Sequence, residues 1–151
     1  MKLLKLVCTF LLLISLLPIQ SFAIAEKDRN ADILYYEDGS YMIVSLSIIE
    51  TRSNTTTANK RYTYHIASGE EAWSATLSAT FEFDGTEYWT TACNISIEIY
   101  SSTWHEISKS ATMRGSSAYG EFTVCNKILG ITTKTVSDTL ILSCSPHGTI
   151  T

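Results

Sequence analysis

From Ala72 to Phe83 every odd position is apolar: Trp73, Ala75, Leu77, Ala79, Phe81 and Phe83. The even positions carry Ser74, Thr76, Ser78, Thr80 and Glu82, and only Ala72 departs from the rule. Successive side chains of a strand point to opposite faces, so a period of two predicts a strand with one buried face. Asp84-Gly85 follows, a hairpin signal because glycine adopts positive φ without steric cost. The return segment, Tyr88 to Tyr100, places Trp89, Cys93, Ile95, Ile97 and Ile99 on one face. A plain two-residue loop would pair odd with even positions and turn the two apolar sets to opposite sides of the sheet. The connection is therefore expected to contain a bulge or an odd number of loop residues. A three-residue loop with a left-handed Gly85 meets that need.

Other segments repeat the pattern with less force. Asp38-Gly39 precedes a mostly apolar, β-branched run from Tyr41 to Ile49. Arg61 to Ile66 groups Tyr62, Tyr64 and Ile66, and Tyr119 to Lys127 groups Gly120, Phe122 and Val124. Thr132 to Cys144 groups Val136, Leu140, Leu142 and Cys144, while Trp104 to Met113 alternates weakly and suits an edge. The polar stretch Thr51 to Asn59 reads as a long flexible loop. About seven short strands without a sustained helical period predict an all-β chain, an Ig-like antiparallel β-sandwich from about Asp32 onward.

The first 25 residues follow a different pattern. Lys2 and Lys5 precede an apolar run from Leu6 to Ile19, 14 residues long, which is short of the ~20 that span a bilayer. Ala23-Ile24-Ala25 supplies the small-x-small site of a signal peptidase, with Ser21-Phe22-Ala23 as a second site; a retained anchor is the alternative. Cys8 lies within the apolar run and does not follow it, so it is no lipid attachment site. The expected organisation is a cleaved signal peptide over 1–25 and one domain over 26–151, secreted to the extracellular space, with no stable membrane span after cleavage. Cleavage leaves 126 residues with 9 basic and 15 acidic side chains, net −6. No basic run exceeds Lys60-Arg61, which argues against nucleic acid and anionic lipid as partners. Ser and Thr make up 36 of the 126, a composition suited to strands with one hydroxyl-bearing solvent face.

Three cysteines remain after cleavage: Cys93, Cys125 and Cys144. An odd number outside the cell implies one pair and one left over, with three reduced thiols as the alternative. Cys93 shares its phase with Ile95 and Ile97, and Cys144 shares its phase with Leu140 and Leu142, so both are expected to point inward. Cys125 falls with Glu121 and Thr123 in the outward set. The phases thus predict a Cys93–Cys144 disulfide closing a loop of 52 residues, worth at most about 4 kcal/mol.

Little else carries chemistry. His65, His105 and His147 have no metal-ligand spacing, and His65 sits in the polar phase of its strand. Glu70-Glu71 and the Asp84/Glu87 pair fall at expected turns, where carboxylates serve solubility more often than glycoside cleavage. No nucleophile elbow, phosphate loop or cofactor motif occurs. Two glycosylation sequons, at Asn54 and Asn94, matter only in a eukaryotic host. Leu140 to Gly148 resembles the nucleophile strand of sortases, which present a cysteine at a strand end. Those transpeptidases also need an arginine soon after the cysteine and a partner histidine. No arginine follows Cys144 here, so a structural role for Cys144 is expected.

Trp73 and Trp89 fall in apolar phases and are expected in the core, whereas Tyr35, Tyr36, Tyr41, Tyr88 and Tyr119 fall at turns or on polar faces. Exposed tyrosine among serine and threonine makes an adaptable contact surface. The segment Lys127 to Thr132 joins two strands, yet it offers Ile128, Leu129 and Ile131 around Gly130. Two arrangements fit it. Ile128 and Ile131 continue the strands inward, or the tip, with Cys125 close by, forms a contact surface for a partner or for homo-association.

Several stretches together resemble a family of short exported proteins of Gram-positive bacteria to which no activity is assigned. They are Tyr36-Glu37-Asp38-Gly39-Ser40-Tyr41, the alternation from Trp73 to Phe83 with Asp84-Gly85, Trp104 with Ser108-Lys109-Ser110-Ala111, and Gly130 to Cys144 with Gly148. The resemblance implies export and the same fold, and transfers no catalytic residue. The expected function is a secreted, non-enzymatic binding module without a cofactor, engaging an extracellular or envelope ligand. A bacteriocin-like effector and an extracellular enzyme, such as a degenerate sortase-like transpeptidase, are the alternatives.

Overall fold

The computed structural model describes residues 27–151. The expected signal peptide, residues 1–25, therefore lies outside the described residues. Eight strands follow one another: β1 (Lys27–Tyr35), β2 (Tyr41–Arg52), β3 (Thr55–His65), β4 (Glu71–Phe83), β5 (Tyr88–Ile99), β6 (Trp104–Arg114), β7 (Ser117–Ile128) and β8 (Ile131–Ser143). The all-β sandwich expected from the alternation is formed. Its two antiparallel sheets run in sequence order, β1-β2-β3-β4-β5 and β6-β7-β8, and the chain changes sheet once, between β5 and β6.

The apolar phases meet between the layers. Trp73, Ala75, Leu77, Ala79 and Phe81 of β4 are buried against Ala118, Phe122, Val124, Leu140 and Leu142 of the smaller sheet. Gly120 sits between the sheets: a β-carbon there would lie 3.0 Å from the Ile95 Cδ1 and 3.2 Å from the Leu77 Cδ1. A side chain on β7 at that point would make the Ile95 and Leu77 methyls shift, and a close-packed core resists such a change.

The β4–β5 hairpin solves the parity problem with a bulge. Its connection, Asp84 to Glu87, has an even number of residues, so Phe83 pairs with Tyr88 and Glu82 with Trp89. The register shifts between Thr80 and Phe81, after which odd pairs with odd from Ala79↔Cys93 to Trp73↔Ile99. Trp89 lies on the hairpin side of that shift. It is consequently turned out and 38% exposed, not in the core as its phase implied. Gly85 has the expected positive φ of 95°.

Two further expectations are corrected. Thr51 to Asn59 is a hairpin and not a long loop: β2 runs to Arg52, and β3 starts at Thr55. Its threonines are β-branched and suit strands, and Thr56 and Ala58 are buried. β1 begins at Lys27, earlier than expected, and shifts register between Arg29 and Asp32.

Candidate functional site

Because each sheet is a meander, the turns after β1, β3 and β7 and the crossing after β5 gather at one end of the sandwich. The β1–β2 turn is closed by Tyr36 N–H donating to Ser40 O at 2.9 Å, and Gly39 supplies its positive φ of 79°. Asp38 accepts from the Ser40 N–H at 3.1 Å and from the Ser40 hydroxyl. That arrangement aims its second carboxylate oxygen at β8, where Lys134 Nζ donates to it at 2.7 Å. Lys134 also donates to Tyr64 Oη at 2.7 Å and lies over the rings of Tyr36 and Tyr64, at 5.2 and 5.1 Å.

Behind this cation stands an aromatic stack. Tyr64 lies parallel to Trp73 at 5.3 Å and tilts against Trp104 at 5.1 Å. Between the stack and the turns is a cleft of about 230 Å³ lined by Asp38, Ser40, Tyr64, Trp104, Asn126 and Lys134, with Thr133 at its rim. Asn126 is held there by Thr133 Oγ1, which donates at 2.9 Å, and by donating itself to Thr103 Oγ1 at 3.1 Å. Trp104 is 3% exposed, and its indole N–H has no hydrogen-bond partner among the described residues. A buried donor without an acceptor costs about 1–3 kcal/mol; the indole N–H of Trp73 is in the same state among the described residues, and Trp104 contributes a wall of the cleft.

The charges here are fixed. Burial pulls the Lys134 ammonium down, but hydrogen bonds to Asp38 and Tyr64 outweigh it and leave the pKa above its ordinary value. The Lys134 bond, followed by those from Ser40, holds Asp38 well below the usual carboxylate range. Burial, and then the charge of Asp138, raise Tyr36. The site is thus a neutral pair with aromatic walls, arranged to bind and orient a polar group.

The residues singled out in the sequence lie elsewhere. All three thiols are unpaired, which overturns the Cys93–Cys144 disulfide. Cys93 lies on β5, beside β6, whereas Cys144 follows β8, which faces β3 and β4. An offset of about two strands is roughly 10 Å, beyond the ~7 Å Cα separation that a disulfide spans. Shared inward phase therefore does not bring them together. Burial pushes both the Cys93 and the Cys144 thiols up, opposite to an activated nucleophile. Cys125 is buried at 2% exposure despite its outward phase, next to a register shift between Asn126 and Lys127.

The β7–β8 tip is exposed: Ile128 and Ile131 do not continue inward, and Leu129 is 97% accessible. Leu129 and Gly130 both have positive φ, 50° and 80°. His65 is buried, contrary to its polar phase; its ring stacks on Tyr41 at 4.5 Å, with Nδ1 3.1 Å from Gly69 O. Among the described residues no group of three His, Cys, Asp or Glu is placed to hold a metal.

Sequence reasoning grouped Tyr64 correctly and missed Lys134, Asp38 and Trp104 as a set. The sequence signal for this set is Asp38-Gly39, a turn dipeptide just ahead of β2. No protein-family model, curated protein or solved structure matches this chain.

Proposed function

We propose that this protein is a secreted, non-enzymatic binding module that engages an extracellular or cell-envelope ligand through the loop end of its sandwich. The observation that supports it most is the cleft that Tyr64, Trp104 and the Lys134–Asp38 pair line together. A polar donor, a cation and two aromatic faces in one small cleft suit a ligand with oxygen acceptors and an apolar face. The exposed apolar tip at Leu129 extends the contact surface beyond the cleft. Raised pKa values at Cys93 and Cys144 weigh against a thiol nucleophile and with it against a transpeptidase. Membership of the exported Gram-positive family belongs to the same reading.

The test is cosedimentation of residues 26–151 with cell walls from a Gram-positive bacterium, purified peptidoglycan and lipoteichoic acid. Trp104→Phe keeps an aromatic face while shrinking it and deleting the N–H, and Lys134→Met removes the cation. The expected result is binding to at least one fraction that falls about tenfold or more in each variant, while circular dichroism is unchanged. Absence of binding to all three, or equal binding by both variants, overturns the reading.

A further inference from the structure

The sheets differ in width, and among the described residues the difference leaves a gap. β8 approaches β3 and β4, β7 approaches β4 and β5, and no strand of the smaller sheet approaches β1 or β2. The inward phase of β2, Val44, Leu46 and Ile48, is therefore only partly buried, and Leu34 of β1 in the same phase is 49% exposed. Beside this apolar floor runs the outer edge of β8.

The backbone phase of that edge is fixed by two observations. Ser143 exchanges both backbone hydrogen bonds, each 3.0 Å, with Thr151 of the returning tail, and Cys144 N–H turns the other way, to Ser116 O. The odd residues Thr135, Ser137, Thr139 and Ile141 share the phase of Ser143, so their N–H and C=O groups point away from β7. Side chains cover two of these groups: Lys60 Nζ donates to Ile141 O at 3.2 Å, and Thr139 N–H donates to Asp138 Oδ1 at 2.7 Å. Both covering side chains are charged; Asp138 is exposed and Lys60 half-buried.

We propose that β8 is a strand-acceptor edge, which captures an extended peptide antiparallel to Thr135–Ile141 and lays it over Val44, Leu46 and Ile48. Three features select this occupant. Alternating N–H and C=O groups along one line are satisfied by a peptide backbone, and the tail at Ser143 already pairs with this edge in that manner. A strand about 4.8 Å beyond β8 falls over β2, where the smaller sheet has none. A second copy pairing β8 with β8 would drive its own β3 into the space of β2, because β3 lies under β8 in each copy, so a single strand fits and a whole sandwich does not. Charge then sets the chemistry. Asp138 faces inward, and Asp32 of β1 shares the inward phase, so the peptide residue opposite Asp138 is cationic and its neighbours in the same phase are apolar.

The probe is a fluorescent, end-capped peptide, Thr-Val-Thr-Lys-Thr-Val-Thr, titrated by anisotropy, with amide exchange read at Thr135, Ser137, Thr139 and Ile141. Expected are saturable binding and slowed exchange at those four amides. N-methylation on the side facing β8 weakens binding at least about tenfold, since the ladder bonds are lost. Asp138→Asn weakens the lysine peptide about threefold and leaves a leucine analogue unchanged. Ser137→Pro blocks capture while the fold stands, because that N–H bonds nothing in β7. No binding up to about 1 mM, equal binding of the N-methylated peptide, or unaltered binding by Ser137→Pro overturns the proposal, leaving Lys60 and Asp138 as covers against edge-to-edge association. These residues lie outside the loop-end cleft, so the cell-wall experiment and this one fail separately.

Discussion

Leu129 is the residue at which local preference and structure disagree most openly. A leucine with φ 50° at 97% exposure has the steric cost of a left-handed side chain and none of the gain from burial. The pair Leu129-Gly130 occupies a two-residue hairpin turn for which Asn-Gly is preferred, because both central positions need positive φ. Leu129→Asn is therefore expected to stabilise the fold by about 0.5–1 kcal/mol, seen as a higher urea midpoint at unchanged slope. A lower midpoint would mean that the leucine makes a stabilising contact in solution, as homo-association through this tip requires. Trp104 shows the complementary case: its burial satisfies the apolar ring and leaves the N–H without an acceptor.

Strand phase is reliable along an element only up to its bulges. The β4–β5 ladder holds from Trp73 to Thr80 and then slips, and the slip moves Trp89 outward. The β7–β8 ladder slips likewise beyond Asn126, with the extra residue, Thr133, on β8. The thiols test this arrangement directly. An aromatic disulfide reagent is expected to titrate three thiols per mature chain in denaturant under non-reducing conditions. In the native state Cys125 and Cys144, both buried, react far more slowly than Cys93, which is half-buried. A single reactive thiol in denaturant would restore the disulfide and contradict this placement of β5 and β8.

At the scale of the whole molecule, the loop end is tied together by one ion pair spanning the two sheets, Asp38–Lys134 at 2.7 Å. Asp38 is held below its ordinary pKa, so its contribution to stability is present above the unfolded value near pH 4 and disappears as pH falls through the folded value. Lys134 is held above its ordinary pKa, so its contribution is present below about pH 10 and is lost as pH rises through the folded value. The urea midpoints of wild type and Lys134→Met are therefore expected to differ by a constant amount from about pH 5 to pH 9 and to converge in acid. A difference that does not shrink at all between about pH 4 and pH 2 would assign the effect of Lys134 to packing against Tyr36 and Tyr64 rather than to charge. What the sequence by itself determined is the all-β class, the buried face of β4 and the need for a bulge or odd loop after it. These follow from side-chain alternation, which is a property of neighbouring residues. Only the tertiary structure decided that Cys93 and Cys144 lie strands apart, that Trp89 faces out, and that Asp38, Lys134 and Trp104 share a cleft. Those outcomes depend on which strands stack across the core and where each register slips, and no local pattern records either.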